Sequence, residues 1–134
     1  MLRFDGHYAT GPEPWEDWHA GVRMHGTHFH YVRFFGDATW LGCYRNEAFF
    51  FWEFTESISE DLYVDALNGK ARQDSNGDPI LQGGQWTQTN DRVTKILEPH
   101  WSGGQKWEFG FQIHPDRLIA DTDEKTPWIF YPAD

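Results

Sequence analysis

One stretch near the end of the chain alternates between apolar and polar residues more regularly than any other. Residues 106–114 change character at every position except one glycine. A period of two is typical of a β-strand that buries one face and exposes the other. The predicted inward set is Trp107, Phe109, Phe111 and Ile113, and the predicted outward set is Lys106, Glu108, Gln112 and His114.

Similar short segments, rich in aromatic and β-branched residues and separated by turn residues, fill much of the remaining chain. They predict a meander of eight or nine antiparallel strands. Such a set of strands must hide its edges, and closure into a barrel does so. The predicted strands are 2–10, 27–35, 38–45, 85–89, 92–98, 106–114, 117–121 and 127–131.

The central hairpin of this meander spans residues 27–45. Its flanks are aromatic, and Gly36-Asp37 reads as a tight turn between them,. A two-residue loop would set the register of the two strands. The pairs expected from that register are Val32 with Leu41, His30 with Cys43, and Arg33 with Trp40, the last as a cation–π contact.

Other segments are less regular. Residues 11–26 read as a long connection with a short helical turn at 14–19, and residues 70–84 read as a loop. The apolar run 48–54 fits a strand slightly better than a buried helix, because aromatic residues dominate it. Ser57 and Glu60 form a capping-box pattern that predicts one short helix over 58–68,.

Composition supports one aromatic core. A chain of 134 residues is expected to form a single domain, here residues 1–134,. Its 11 Phe, 8 Trp and 5 Tyr outnumber its 17 Val, Ile and Leu residues and make it tryptophan-rich. Large rings can therefore supply the core, line a cavity, or do both. The fold class predicted is all-β, a single antiparallel up-and-down β-barrel with one short helix.

The charge and the cysteine content limit the partners and the compartment. The net charge of −10 argues against nucleic acid and anionic membranes, which require a basic surface,. Cys43 is the only cysteine, so an internal disulfide is impossible, as is usual in the cytoplasm,. We see no signal peptide and no apolar run long enough to span a bilayer. We therefore expect an acidic cytoplasmic protein.

The order of motifs resembles a known group. Gly6-His7-Tyr8 opens the chain, residues 31–39 form a Tyr-Val-Arg-Phe-Phe-Gly-Asp-Ala-Thr hairpin, and Gly84-Gln-Trp86 follows the helix. Over nearly the whole chain this order resembles small bacterial lipocalin-like (calycin) β-barrel proteins of uncharacterised function. True lipocalins carry Gly-x-Trp where this chain has Gly6-x-Tyr8. The resemblance implies a ligand cavity at one end of the barrel and names no ligand.

Two histidines give the clearest chemical alternative. His28 and His30 lie two residues apart, so a strand places both imidazoles on one face, as a metal site on a strand requires,. The spacing resembles the His-x-His motif of cupins, but the acidic residue that this motif carries a few positions later is missing here. We therefore predict no metal and no cofactor, with His28 and His30 as the runner-up site. A thiolate–imidazole pair of Cys43 and His30 lacks an identifiable third group. The sequence contains no catalytic signature.

The function predicted is binding of a small apolar, aromatic or planar molecule in the barrel. The alternatives are a histidine- or metal-dependent enzyme and a protein-interaction module that uses exposed tryptophans, with a dimer as one form. The interior could also be filled by its own rings. The candidate ligand-binding residues are Tyr31, Arg33, Trp40, Tyr44, Trp86, Trp107, Phe109 and Phe111.

Overall fold

The computed structural model describes residues 2–45, 51–68, 81–97, 107–121 and 128–133. These ranges contain nine strands and two helices. The strands are β1 His7–Ala9, β2 Glu13–His19, β3 Val22–Phe34, β4 Thr39–Arg45, β5 Gln82–Thr89, β6 Arg92–Leu97, β7 Trp107–Ile113, β8 Leu118–Ala120 and β9 Ile129–Ala133. The helices are α1 Phe51–Ser57 and α2 Glu60–Leu67.

Eight of the strands close into an antiparallel barrel. Consecutive strands from β3 to β9 are neighbours, β9 pairs with β1, and β1 pairs back onto β3. The closing pair places Tyr8 opposite Val32. Closure leaves these eight strands without an open edge, which is the physical reason that the sequence pattern indicated a barrel. The prediction of an all-β antiparallel barrel is confirmed.

The ninth strand, β2, builds an arm on the barrel. It pairs with the first half of β3, from Glu13 opposite His28 to His19 opposite Val22. Ala20 and Gly21 both have positive φ, 50° and 79°, as the tight turns that match strand twist require. The sequence prediction of a long connection with a helical turn at 14–19 is therefore wrong. The signal it missed is this two-residue turn.

The central hairpin is confirmed, but its predicted register is wrong. The Phe35 N–H donates to the Thr39 carbonyl at 2.9 Å, and Ala38 adopts a left-handed φ of 68°. The loop therefore has three residues, ending in a bulge, instead of two. The observed pairs are Val32 with Gly42, Arg33 with Leu41, Phe34 with Trp40, Tyr31 with Cys43, and His30 with Tyr44.

The loop makes a stability prediction. Ala38 is in a conformation that costs an L-residue with a Cβ about 1 kcal/mol, whereas glycine adopts it freely,. We expect Ala38→Gly to raise the free energy of unfolding by about 0.5–1 kcal/mol in urea denaturation. Ala120→Gly, in β8, is the matched control and should destabilise the protein,. No gain at Ala38 would contradict the assigned turn.

The apolar run that was predicted as a strand is helical where the structure describes it. Helix α1 begins at Phe51, and residues 48–50 lie outside the described ranges. Phe51 is fully buried and stacks on Tyr31 with a centroid distance of 5.5 Å. Packing against the barrel wall decides the conformation, because a run this short is ambiguous by period.

The single helix predicted over 58–68 is confirmed as α2 with a different cap, and α1 is a second helix that the sequence did not predict. In α2 the Leu62 N–H donates to the Ser59 hydroxyl at 3.2 Å, so Ser59, two residues after Ser57, is the N-cap,. Gly83 and Gly84, expected in a loop, belong to β5; residues 70–80 lie outside the described ranges. Neither α1 nor α2 is long and apolar enough to cross a bilayer.

The apolar residues form two cores, one on each side of the wall. The outer core packs α1 and α2 against β3, β4 and β5, and its buried members are Tyr31, Leu41, Cys43, Phe51, Ala66 and Leu81. The inner core lies inside the barrel. Its buried members are Leu2, Tyr8, Val32, Phe34, Trp40, Val93, Phe111, Leu118, Ala120 and Phe130.

Candidate ligand-binding site in the barrel interior

The middle of the barrel is filled by three rings. Phe34, Trp40 and Phe111 are each 0% exposed. Phe34 and Phe111 meet edge to face at 6.1 Å, and the Trp40 indole N–H donates to the Ile96 carbonyl at 3.0 Å. Edge-to-face rings add directional contacts to the area that they bury. These rings form a rigid floor.

A lysine points into the interior just beside this floor. In the sheet, Lys95 lies opposite Trp86 of β5 and opposite Phe109 of β7. It shares the inward face of β6 with buried Val93. Its Nζ lies 4.5 Å from the ring centroid of Trp40 and 5.2 Å from that of Phe109. The centroid of Phe111 is 5.9 Å away. We call Lys95, Trp40, Phe109 and Phe111 the Lys95 site.

Part of this site remains accessible to water. Lys95 and Phe109 are only partly buried although both point inwards, whereas Trp40 and Phe111 are fully buried. Lys95 and Phe109 therefore keep some contact with solvent, whereas the floor has none. His30 and Trp128 are also half-buried, and their rings pack together with centroids 4.3 Å apart.

The electrostatic state of Lys95 follows from its surroundings. Burial lowers the pKa of its ammonium from 10.5 to about 8, because a low-dielectric environment disfavours the charged form. In the part of the chain that the structure describes, no carboxylate forms an ion pair with it. Its neighbours are ring faces, which attract a cation by less than a carboxylate does.

The Cys43 thiol, whose pKa Lys95 influences, stays protonated at neutral pH. Burial raises the pKa of Cys43 to about 12, although Arg45 and Lys95 oppose the change. Cys43 belongs to the outer core and pairs with Tyr31, so the predicted Cys43–His30 pair is wrong. A thiol that stays protonated at neutral pH is a poor nucleophile.

The eight predicted ligand-binding residues divide into three groups. Trp40, Trp86, Phe109 and Phe111 face the interior. Tyr31 and Arg33 face the outer core and α1 instead. Tyr44 and Trp107 lie on β4 and β7, with side chains outside what the structure describes.

Arg33 has a structural task on the outer face. Its Nη1 donates to the Thr55 hydroxyl at 2.9 Å and lies 3.0 Å from a carboxylate oxygen of Glu56, which holds α1 on the wall. The guanidinium also lies over Phe35, 4.7 Å from the ring centroid. The predicted Arg33–Trp40 contact is wrong, and the cation over Trp40 is Lys95.

Sequence reasoning missed Lys95 although a signal existed. On the strand 92–97, a period of two places Lys95 between Val93 and Leu97 on one face,. A charged residue between apolar neighbours on a strand face is either exposed with them or buried with them. In this protein, the closure of the barrel turns that face of β6 inwards, so Lys95 is partly buried there with Val93.

The described residues do not place His30 in a cluster of metal-binding or catalytic side chains. The centroid of the His30 ring lies 4.3 Å from that of Trp128, with 33° between the ring planes. The side chain of His28 is not among those that the structure describes. Among the residues that are described, no three His, Cys, Asp or Glu side chains are placed to hold a metal ion. The runner-up metal site at His28 and His30 stays untested, as does the prediction that the protein holds no metal.

A cavity near the N-terminus is separate from the Lys95 site. It has a volume of about 600 Å³ and lies under the N-terminal segment, lined by Leu2, Arg3, Phe4, Asp5 and Gln88. Phe4 stacks on Trp86 at 5.7 Å and so covers the interior from this end. The cavity is wide and shallow, and Lys95 is not part of its wall.

The arm displays apolar side chains to solvent. Trp18 is 60% exposed, Val22 is 63% exposed and Met24 is 46% exposed. Glu16, on the open strand β2, pairs with Arg23 across the ribbon at 3.2 Å. The predicted interaction module would use this surface, and that function stays an untested prediction.

Comparisons with protein-family models, with curated proteins and with solved structures gave no match to this chain. The described residues form a closed antiparallel β-barrel with an aromatic interior into which Lys95 points.

Proposed function

We propose that the barrel binds one small, mostly apolar and planar molecule beside Phe109 and Lys95. The observation that carries this proposal is the contrast between the fully buried floor and the half-buried inward residues next to it. An eight-stranded barrel has room either for its own side chains or for one small ligand. Here side chains fill the floor, and the inward-facing Lys95 and Phe109 beside it keep the solvent contact that a ligand would replace.

The chemistry of the lining favours a flat molecule. Phe109 packs against Phe111 at an interplanar angle of 58°, with centroids 5.1 Å apart. A planar ligand beside Phe109 can stack on its ring. Ligand sites combine apolar walls with few polar groups that fix orientation. Lys95 supplies one such group. The Arg33 role expected from the sequence does not support the proposal, because Arg33 faces α1.

The proposal includes kinship with small lipocalin-like barrels, supported by the closed eight-stranded topology and the early Gly6-His7-Tyr8 strand. It also includes a cytoplasmic location, supported by a lone buried thiol at Cys43,. Its partner is a small apolar molecule, without nucleic acid and without a membrane.

The binding proposal is tested by tryptophan fluorescence and thermal shift with fatty acids, indoles, flavins and haem. We expect saturable quenching by a planar member of this panel. At a hundredfold excess over its dissociation constant, the ligand should stabilise the protein by about 2.7 kcal/mol. The test fails if no member of the panel changes either signal.

Two leucine variants locate the site. Phe109→Leu should weaken binding about fivefold, because one stacked ring is worth about 1 kcal/mol. Phe54→Leu is the matched control, since Phe54 is also half-buried but packs in the outer core; its affinity should equal that of the wild type. Equal weakening by both variants would place the ligand elsewhere.

A further inference from the structure

We propose that the ligand of the barrel is an aromatic monocarboxylate and that the Lys95 ammonium is its counter-ion. The inference rests on the binding function proposed above and adds the chemical class of the ligand. It is carried by the geometry of the Lys95 site: one inward-facing cation among three ring faces, without a described carboxylate partner.

The first step of the argument is the cost of an enclosed ammonium. A charge removed from water is normally compensated by an opposite charge. The contacts with Trp40 and Phe109 compensate only in part, since a ring face offers a quadrupole and no hydrogen-bond acceptor,. An anionic ligand placed beside Phe109 would supply both a charge and acceptor oxygens.

The second step concerns the size and charge of the ligand's acidic group. Lys95 is a single point charge, and the whole chain carries −10,. That surplus repels anions, and it repels dianions such as phosphate esters more strongly. One carboxylate matches one ammonium. The rings of Trp40, Phe109 and Phe111 define the apolar, planar body to which that carboxylate is attached.

The third step concerns the other titratable groups that face the interior, among the residues that the structure describes. Strand β5 turns Gln82, Gly84, Trp86 and Gln88 inwards, and β7 turns Phe109, Phe111 and Ile113 inwards in its described part. Strand β4 turns Trp40 and Gly42 inwards. The thiol of Cys43, on the other face of β4, stays protonated and therefore neutral. The other described titratable groups on the inner face are Tyr8 of β1 and His30 of β3.

The protonation of Lys95 should therefore control the preference for a carboxylate. Burial holds the pKa of this lysine at about 8 in the free protein, so the ammonium form is present at neutral pH. Above that pH the free protein loses the proton, and the affinity for a carboxylate falls. The affinity for an uncharged analogue has no such dependence.

The experiment compares naphthoate with naphthamide, which share one ring system and differ in charge. Calorimetric titration at pH 6.5 should show naphthoate binding at least tenfold more tightly to the wild type, and the preference should disappear as the pH rises well above 8. Lys95→Met should remove the preference, because it weakens the binding of naphthoate much more than that of naphthamide. Arg23→Met, which removes one positive charge from the arm, is the matched control and should keep it.

Each outcome decides the question. Equal binding of the two compounds by the wild type overturns the inference while the binding function stands, and so does a preference that survives Lys95→Met. No binding of either compound or of any panel member overturns the binding function itself. Lys95→Arg retains the charge and should retain the preference, which keeps the test valid if the methionine variant does not fold.

Discussion

Lys95→Met is expected to stabilise the protein by roughly 2 kcal/mol at pH 7. Lowering the pKa of this lysine from 10.5 to about 8 corresponds to roughly 3 kcal/mol of disfavoured charge in the folded state,. Its partial exposure reduces that figure,. Methionine keeps the length of the side chain and makes favourable contacts with aromatic rings such as Trp40 and Phe109.

The dependence of this effect on pH has a definite sign. The folded pKa of Lys95 is about 8, below the unfolded value of 10.5. Between those values the unfolded chain binds more protons, so the free energy of unfolding contributed by this group rises with pH. The stability difference between Lys95→Met and the wild type should therefore be largest below pH 8 and shrink towards pH 10.5.

Urea denaturation of the wild type and the variant across this pH range measures the effect. Arg23→Met should change the free energy of unfolding by no more than about 0.5 kcal/mol, because Arg23 is exposed,. If Lys95→Met were as stable as the wild type at every pH, the ammonium would be fully hydrated or paired in the folded protein. A gain in stability together with a loss of carboxylate preference would show that the lysine is retained for binding.

Trp40→Ala is expected to cost about 4 kcal/mol of folding free energy. Trp40 is 0% exposed and donates its indole N–H to the Ile96 carbonyl. A Cβ built on Gly42 would lie 3.1 Å from the ring, and one built on Gly84 would lie 3.0 Å from the indole nitrogen. The indole thus fills the space beside two glycines, which have no side chains of their own to occupy it. Removal of so large a buried side chain leaves a cavity whose cost adds to the lost transfer free energy.

Two further variants separate the causes. Trp40→Phe should cost about 1–2 kcal/mol, because it leaves the Ile96 carbonyl without its donor but keeps most of the apolar volume,. Trp18→Ala is the control for loss of a tryptophan and should stay within about 0.5 kcal/mol, since Trp18 is 60% exposed,. A small loss in Trp40→Ala would mean that the barrel floor is loosely packed.

The arm and the helix α1 show where sequence patterns are insufficient. The arm depends on two left-handed residues, Ala20 and Gly21, between strands that pair only over the first half of β3. Helix α1 depends on two contacts on the outer face of the barrel. Phe51 stacks on Tyr31, and the Thr55 hydroxyl accepts a hydrogen bond from Arg33. Both decisions are made by packing partners that lie far away in sequence, so local propensity could not settle them.

The sequence alone determined the barrel and the inward face of β7. Alternation with a period of two follows directly from strand geometry, so the orientations of Phe109, Phe111 and Ile113 could be read without a structure,. The tertiary structure alone decided the register of the central hairpin, because one extra loop residue at Ala38 exchanges Leu41 for Gly42 opposite Val32. It also decided that the cation over Trp40 is Lys95 of β6 and that Arg33 holds a helix. Strand periodicity fixes which residues share a face, but only closure of the sheet fixes which faces meet.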